Sequence, residues 1–302
     1  MSKQLNRVAV IGTGVLGSQI AILAANAGYK VKVYDEKAGA FNAAFENRRS
    51  ELKTKGLTPM IPWEKWDKLK KSIKQVTDLG EAVEDADLVI EAVPEILALK
   101  KKVFKELGQK TPKGAILATN SSSMPVSKFE KSSGRPERCL NIHFYFPLQG
   151  VNHVDVMGGS KTMPEVFDAG GDWVISLGCI PLKVKKEILG FCFNRVWRAI
   201  KREVLFMWGN GYVDFRDSDR GWRVFTGMKE GPFALMDKVG LDVVYDIEMV
   251  YYKESKDPKD KPPDALLQMI KRGELGVKSG KGFYTYPDAE YLRPEFMKPK
   301  KD

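Results

Sequence analysis

Apolar runs alternate with amphipathic stretches over the first half of the chain, which predicts strand–helix–strand units. A β-branched apolar run over 8–11 is typical of a buried parallel strand. A helical pattern follows and stops at Gly28, and a second strand over 31–34 ends at Asp35. The next elements are a strand over 86–93, a helix over 97–107 and a strand over 115–118. The fold class expected from this order is α/β, with a doubly wound parallel sheet of the Rossmann type.

Residues 37–75 are polar and basic with helical character. Pro59 and Pro62 divide them, so a helical hairpin is expected as an insertion after the second strand. Four basic side chains of this segment either meet phosphates or form a solvated helix face: Arg48, Arg49, Lys53 and Lys55.

The pattern changes from about Lys186 onward, where amphipathic helices replace the strands. The first, over 190–211, has an apolar stripe of the kind found in a core or a dimer interface: Phe193, Val196, Trp197, Ile200, Val204 and Met207. Three aromatic residues of later helices, Trp222, Phe225 and Phe233, are expected to pack internally or to wall a pocket. We therefore predict two domains, 1–187 and an all-helical 188–302.

A glycine motif joins the first strand to the first helix. Gly12, Gly14 and Gly17 have the spacing G-x-G-x-x-G, with Val15 and Leu16 between the last two. In a dinucleotide site the first glycine permits the tight turn, the second lets the backbone approach the pyrophosphate, and the third lets helix and strand pack closely. The alternative is an ordinary β-α-β unit whose glycines serve packing alone.

The acid at the end of the second strand bears on the choice of cofactor. Asp35 lies where a carboxylate accepts hydrogen bonds from the adenosine ribose hydroxyls. Its charge would repel a 2′-phosphate, which favours NAD over NADP.

Composition limits the other classes of function. The 302 residues are 43% hydrophobic and 29% charged, as in a globular protein, and carry a formal net charge of +10. The lysines are dispersed and accompany no nucleic-acid motif, so an anionic small ligand explains the charge better than nucleic acid. Glycines and polar residues interrupt the apolar run at the start of the chain, which opposes a signal peptide or a membrane span. Three cysteines without metal-like spacing suggest a reducing cytosol, and we expect a cytoplasmic protein without a metal site.

Candidate catalytic groups follow the later strands. Asn120 and the serines after it come at the end of a strand, where the ligand crevice of an open parallel sheet lies. His143 ends another apolar strand and is one of two histidines. Imidazole titrates near neutral pH, so His143 is the leading candidate for acid–base work, although such a histidine is often structural. Asp155 lies twelve residues later in an extended run, and a hairpin would return its carboxylate to the imidazole.

Seven segments follow one another along the chain: VIGTGVLG, EAVPEILALK, ATNSSS, NIHFYFP, GFCFNR, EGPFALMDKVGLD and GKGFYTY. With these segments in this order, the chain resembles the L-3-hydroxyacyl-CoA dehydrogenase family over nearly its whole length. The resemblance implies a Rossmann domain that binds NAD, followed by a helical domain that forms a homodimer.

The resemblance also implies roles for single residues. The catalytic histidine of the family corresponds to His143, and its two substrate-contacting polar residues to Ser122 and Asn194. Asn120 would lie beside the nicotinamide.

Two further residues, Glu95 and Lys100, match positions of the family that contact the cofactor. Two positions depart from the family pattern. Asp155 stands where the family has the glutamate that pairs with the histidine, and Phe146 replaces the asparagine of the usual H-F-F-N-P.

The expected reaction is the reversible oxidation of a 3-hydroxyacyl-CoA thioester to the 3-ketoacyl-CoA thioester, with no nucleic-acid or membrane partner. One alternative is a dehydrogenase of the same fold that acts on a free hydroxy acid, like the gulonate and carnitine dehydrogenases. The other is an NAD-binding structural protein without catalysis. The combination of Ser122, His143 and Asn194 argues against the latter, because a scaffold needs none of them.

Overall fold

The computed structural model describes residues 5–54, 61–145 and 152–299. They divide into two compact units, the first ending at Phe193 and the second beginning at Asn194. Phe146 and Lys55 lie outside the described residues.

The first unit is an α/β layer structure with one sheet. Its strands are β1 (Arg7–Ile11), β2 (Lys30–Tyr34), β3 (Lys74–Val76), β4 (Leu88–Glu91), β5 (Ile116–Thr119), β6 (Cys139–Phe144), β7 (His153–Gly158) and β8 (Ile180–Val184). Its helices are α1 (Val15–Asn26), α2 (Ala40–Thr54), α3 (Trp63–Ser72), α4 (Leu79–Val83), α5 (Leu97–Lys110) and α6 (Pro164–Ser176).

The order of strands in the sheet is β3-β2-β1-β4-β5-β6-β7-β8. Pairing is parallel except between β6 and β7, which run antiparallel. The chain leaves β1 for β2 on one side and returns to β4 on the other. The carboxyl end of β1 is therefore the switch point at which a doubly wound sheet binds its ligand. The predicted Rossmann-type sheet is confirmed.

The segment predicted as a helical hairpin contains α2 and α3, but its end was assigned wrongly. Residues 74–76 form β3, which pairs with β2 through Lys32 and Lys74, whereas helix had been expected through residue 75. A three-residue strand has no periodicity of its own, and pairing with the edge of β2 decides its conformation. Helix α3 packs on α2 through Trp66, whose ring centroid lies 5.2 Å from that of Phe45.

The basic residues of this segment have partners within the protein. Arg48 is buried and its Nη1 lies 2.8 Å from Glu51 Oε2, and Arg49 pairs with Asp67 at 3.0 Å. Lys53 lies over the ring of Trp63. These contacts favour the structural interpretation of the segment over a phosphate site.

The second unit is built from helices. They are α7 (Phe193–Gly209, whose first residue belongs to the first unit), α8 (Phe215–Thr226), α9 (Pro232–Val239), α10 (Leu241–Ser255) and α11 (Asp264–Lys271). Its core includes Phe233, Leu241 and Tyr284, all at most 1% exposed. Asp219 ties the elements together, because it accepts hydrogen bonds from the backbone N–H groups of Phe233 and Ala234.

The apolar side chains of the helical region differ in exposure. Phe225 was expected to pack internally or to wall a pocket, and internal packing is wrong, because the side chain is 91% exposed. The apolar stripe of α7, expected in a core or a dimer interface, is buried only towards its end: Val204 is 8% exposed, whereas Val196 is 56% exposed. Amphipathic spacing identifies an apolar face but not what covers it. Among the described helices, none is long and apolar enough to cross a membrane.

Candidate active site

The turn between β1 and α1 requires glycine at two positions. Gly12 has φ +92°, and a Cβ there would lie 2.6 Å from the carbonyl oxygen of Ala92. A Cβ on Gly17 would lie 1.9 Å from the carbonyl oxygen of Gly12. Both contacts are with backbone atoms, which cannot move aside without distorting the chain. The first and third glycines of the motif therefore serve the close approach of chain segments.

The middle glycine has a different environment. A Cβ on Gly14 would meet no atom within 4 Å, so packing within the protein does not require glycine there. Gly14 is the N-cap of α1, and no side-chain cap bond to the N–H groups of this helix end is present among the described residues. An open glycine beside uncapped N–H groups fits a pyrophosphate, which needs close backbone approach and donors.

A cavity of about 460 Å³ opens beside Gly14. Its lining includes Thr13, Val15, Asp35 and Arg48, with small residues of α2 between them. Val15 is exposed, whereas Leu16 packs against the core. The cavity lies at the carboxyl ends of β1 and β2, where the adenosine of a dinucleotide binds in this fold.

Asp35 organises this end of the site. Its Oδ2 accepts hydrogen bonds from the backbone N–H and the hydroxyl of Thr13, at 2.6 and 3.0 Å. Its Oδ1 accepts one from the backbone N–H of Lys37 at 3.0 Å. The carboxylate thereby joins the glycine turn to the end of β2.

Glu95 holds the serine loop that follows β5. Its carboxylate accepts hydrogen bonds from the hydroxyls of Ser121 and Ser123, the latter at 2.8 Å, and lies 3.1 Å from Lys100 Nζ. Burial raises the pKa of Glu95, but the bond from Ser121, the charge of Lys100 and the bond from Ser123 outweigh it, so the pKa lies below its ordinary value. Ser122 lies between these two serines and is exposed.

Lys100 lies beneath this loop. It is 1% exposed, and its ammonium group lies 2.8 Å from the fully buried carboxylate of Glu91. Glu91 also accepts hydrogen bonds from the Thr119 hydroxyl and the Val93 N–H, at 2.7 and 2.8 Å. The buried position of Lys100 suits the orientation of Glu95 better than direct contact with a cofactor.

Asn120 links the two strand ends that carry the candidate chemistry. Its N–H donates to the carbonyl oxygen of Glu91 at 2.8 Å. Its side-chain oxygen accepts from the N–H of Phe144 at 2.9 Å. Asn120 therefore fixes the end of β5 against the end of β6, next to His143.

The antiparallel pairing of β6 and β7 brings His143 and Asp155 together. The two residues are direct partners in the register, so their side chains share one face of the sheet. His143 Nδ1 lies 3.6 Å from Asp155 Oδ2, and both side chains are buried. The hydroxyl of Tyr145 donates to the same oxygen, and the N–H of Cys192 donates to Oδ1 at 3.4 Å.

Some predicted site residues are not joined to this group. Asn194 lies at the start of α7, in the second unit, and its participation stays a prediction. Ser122 has the exposure that substrate contact needs, but its role also stays a prediction. No group of three metal-ligating side chains occurs among the described residues.

Sequence reasoning missed three polar residues of the site. Thr13 and Glu91 stand inside the recognised motif segments, and only their hydrogen bonds distinguish them from neighbours. Tyr145 lies two residues after His143 and carries the one hydroxyl of that strand end. The sequence does contain a signal for Tyr145, because phenylalanine occupies that position in the H-F-F-N-P pattern of the family.

Comparison with known proteins identifies the family. The sequence model of the 3-hydroxyacyl-CoA dehydrogenase NAD binding domain matches residues 7–188, and that of the C-terminal domain matches residues 190–286. The chain belongs to the 3-hydroxyacyl-CoA dehydrogenase family. It is accordingly an NAD-dependent oxidoreductase.

Relatives of this dehydrogenase differ in their named substrates. It is 32% identical to the 3-hydroxybutyryl-CoA dehydrogenase of Clostridioides difficile, over 93% of this chain and 99% of the relative. It is 30% identical to the 5-formyl-3-hydroxy-2-methylpyridine 4-carboxylate 5-dehydrogenase of Mesorhizobium japonicum, over 93% of this chain and 91% of the relative. The solved structure of a diketoreductase that acts on dicarbonyl compounds matches with a TM-score of 0.82 and 34% identity, over 94% of this chain and 100% of that one.

Proposed function

We propose that this dehydrogenase interconverts a 3-hydroxyacyl-CoA thioester and the 3-ketoacyl-CoA thioester. The observation that carries the proposal is the buried pair of His143 and Asp155 at the end of β6, in a chain with a dinucleotide turn. The 3-hydroxybutyryl-CoA dehydrogenase relative supports the choice of a CoA thioester.

NAD, when bound, supplies the acceptor for the hydride that leaves C3 of the substrate. Gly14 and the N–H groups of α1 would hold its pyrophosphate, and Asp35 its adenosine ribose. Glu95, positioned by Lys100, and Asn120 would lie towards its nicotinamide end.

His143 acts as the general base for oxidation and as the general acid for reduction. Its Nδ1 faces Asp155, so Nε2 is the atom that takes the proton of the substrate hydroxyl. The carboxylate, 3.6 Å from Nδ1, stabilises the imidazolium that forms and favours the tautomer with its proton on Nδ1. By the family resemblance, Ser122 and Asn194 are the residues expected to hydrogen-bond the reacting oxygen and the thioester carbonyl.

A second candidate is a hydroxy acid or dicarbonyl compound without CoA. The pyridine carboxylate dehydrogenase of Mesorhizobium japonicum and the diketoreductase have names that indicate such substrates. Asp155, one methylene shorter than the family's glutamate, also favours a substrate that differs from the usual one.

One comparison of substrates separates these candidates. NADH absorbance is followed with acetoacetyl-CoA, with free acetoacetate and with a neutral diketone, at equal concentrations. Rapid NADH oxidation by the thioester supports the CoA proposal. Turnover of the free acid or the diketone alone would overturn it in favour of the second candidate. Tight NADH binding without turnover of any of the three would contradict both.

We also propose that the chain acts as a homodimer. Val243, Ile247 and Val250 of α10 are 41%, 38% and 50% exposed and recur at helical spacing, and Phe225 of α8 is 91% exposed. Such apolar surface commonly marks an interface. Sedimentation should give twice the chain mass, and Phe225→Glu should shift the protein towards the monomer. A wild-type protein that sediments as a monomer would contradict the proposal.

A further inference from the structure

Tyr145 contacts both members of the His143–Asp155 pair. Its hydroxyl donates a hydrogen bond to Asp155 Oδ2, the oxygen that lies 3.6 Å from His143 Nδ1. A separation of 3.6 Å is too long for a hydrogen bond. The direct partner of that carboxylate oxygen is therefore the phenol, and the imidazole lies just beyond it.

The rings around His143 restrict its orientation. Tyr145 meets the imidazole edge-on at 4.4 Å between ring centroids. On another side Phe191 stacks on it at 5.1 Å, with only 17° between the ring planes. Tyr145 is itself packed against His153 and Phe193, at 4.6 and 5.5 Å. Neither the phenol nor the imidazole can turn without displacing its neighbours.

Two departures from the family pattern meet at this contact. Asp155 replaces a glutamate and so loses one methylene. Tyr145 stands at the second phenylalanine of H-F-F-N-P and so gains a hydroxyl. The shorter side chain of Asp155 would place its carboxylate farther from the histidine. The added hydroxyl of Tyr145 bonds that carboxylate.

We infer that Tyr145 is a positioning residue that holds Asp155 for His143, forming a Tyr–Asp–His unit in place of the family's His–Glu pair. The inference rests on the proposed general-base role of His143. The phenol also withdraws negative charge from the carboxylate, because a donated hydrogen bond spreads that charge.

Removing the phenol has a predictable consequence. In Tyr145→Phe the carboxylate loses the donor that fixes it, so Asp155 no longer stays in place beside the imidazole of His143. Among the described residues, the ring of His153 packs beside Tyr145, and the backbone N–H of Cys192 donates to the other oxygen of Asp155. The loss should therefore fall on kcat, because proton transfer depends on this placement and binding of the cofactor does not.

The test is a double-mutant cycle with Tyr145→Phe, Asp155→Glu and the double variant. Tyr145→Phe should lower kcat at neutral pH about tenfold, as for loss of a charge-assisted hydrogen bond, with little change in KM. Asp155→Glu alone should also lose activity, because the longer acid meets the phenol. The double variant has the family's own combination and should exceed Asp155→Glu in kcat. Independent, multiplicative effects of the two substitutions would overturn the inference.

A measurement without substrate separates this inference from the proposed function. The chain has two histidines, so NMR of NADH-bound protein at one fixed pH resolves the imidazole of His143, with His153→Gln as the assignment control. Tyr145→Phe should shift and broaden the imidazole signals of His143, because Asp155 loses the donor that fixes it beside the ring. Tyr29→Phe removes a phenol that contacts the Ser176 hydroxyl at 2.6 Å elsewhere, and it should leave these signals unchanged. Unchanged His143 signals in Tyr145→Phe would overturn the inference, whatever substrate the enzyme uses.

Discussion

Lys100 and Glu91 form an ion pair in the interior of the Rossmann unit, with 2.8 Å between Nζ and Oε1 and at most 1% of either side chain exposed. The same ammonium group lies 3.1 Å from Glu95, which holds the serine loop. The buried ion pair between α5 and β4 thus supports a loop at the candidate cofactor site.

Loss of this lysine should destabilise the unit and loosen the loop. Lys100→Met leaves the Glu91 carboxylate buried without its cation, which should lower the free energy of unfolding by about 3–5 kcal/mol. It should also weaken NADH binding. Lys100→Met combined with Glu91→Gln removes both charges and should recover part of the stability. Equal stability of the single and double variants, measured by chemical denaturation, would contradict a pairing role.

The glycines of the turn should respond differently to the same added methyl group. Gly17→Ala places a Cβ 1.9 Å from a backbone oxygen and should impair folding. Gly14→Ala meets no protein atom and should keep the thermal transition, yet weaken NADH binding, because the methyl group enters space needed by the pyrophosphate. Thermal denaturation and fluorescence titration with NADH measure the two effects. Full NADH affinity in Gly14→Ala would refute its assignment.

His143 should be needed for proton transfer but not for cofactor binding. His143→Gln should reduce kcat by about 10²–10⁴-fold and leave NADH affinity nearly unchanged. His153→Gln is the matched control, because it removes the other imidazole, and its loss should be much smaller. Comparable losses in the two variants would show that His143 has no special role.

The charge of Asp35 should set the preference for NAD. Asp35→Asn keeps an oxygen that accepts from the Thr13 N–H, so the turn should persist. It removes the negative charge that repels a 2′-phosphate, so the ratio of kcat/KM for NAD to that for NADP should fall. A ratio equal to that of the wild type would mean that Asp35 serves the turn alone.

The helical unit should lose stability as the pH rises towards neutrality. Burial raises the pKa of Asp219 to about 6, against the bonds donated by Phe233, Ala234 and Tyr284. The folded chain then binds more protons than the unfolded chain between about pH 4 and 6, so the free energy of unfolding falls across that window. The contribution is on the order of 3 kcal/mol. The difference in free energy of unfolding between wild type and Asp219→Asn should decline from pH 4 to 6 and level off above pH 6. A difference that stays constant with pH would refute the raised pKa of Asp219.

The spacing of residues within short segments was sufficient to predict much of the fold. Gly12, Gly14 and Gly17, with an apolar strand before them and Asp35 after them, predicted the dinucleotide turn because these constraints act within one β-α-β unit. The strand at residues 74–76 was missed because no such local constraint acts on it. It is too short to have a periodicity, and only the free edge of β2 makes it a strand.

The candidate site was predictable as a set of residues but not as a geometry. His143 and Asp155 were expected to meet, and the register of β6 and β7 makes them direct partners. The bond from Tyr145 was not foreseen, and neither was the burial of Lys100 against Glu91. Such contacts depend on where side chains point once two strands have paired.

The sequence by itself determined the strand–helix–strand pattern around the glycine turn and the family, because these depend on short-range periodicity, steric limits and motif order. The tertiary structure alone decided which polar groups share a carboxylate. The hydroxyl of Tyr145 bonds Asp155 Oδ2, and the imidazole of His143 lies beside the same oxygen. Both contacts arise because the antiparallel pairing of β6 and β7 brings residues distant in sequence together. Burial then makes each such contact matter, since a polar group removed from water must find its partners within the fold.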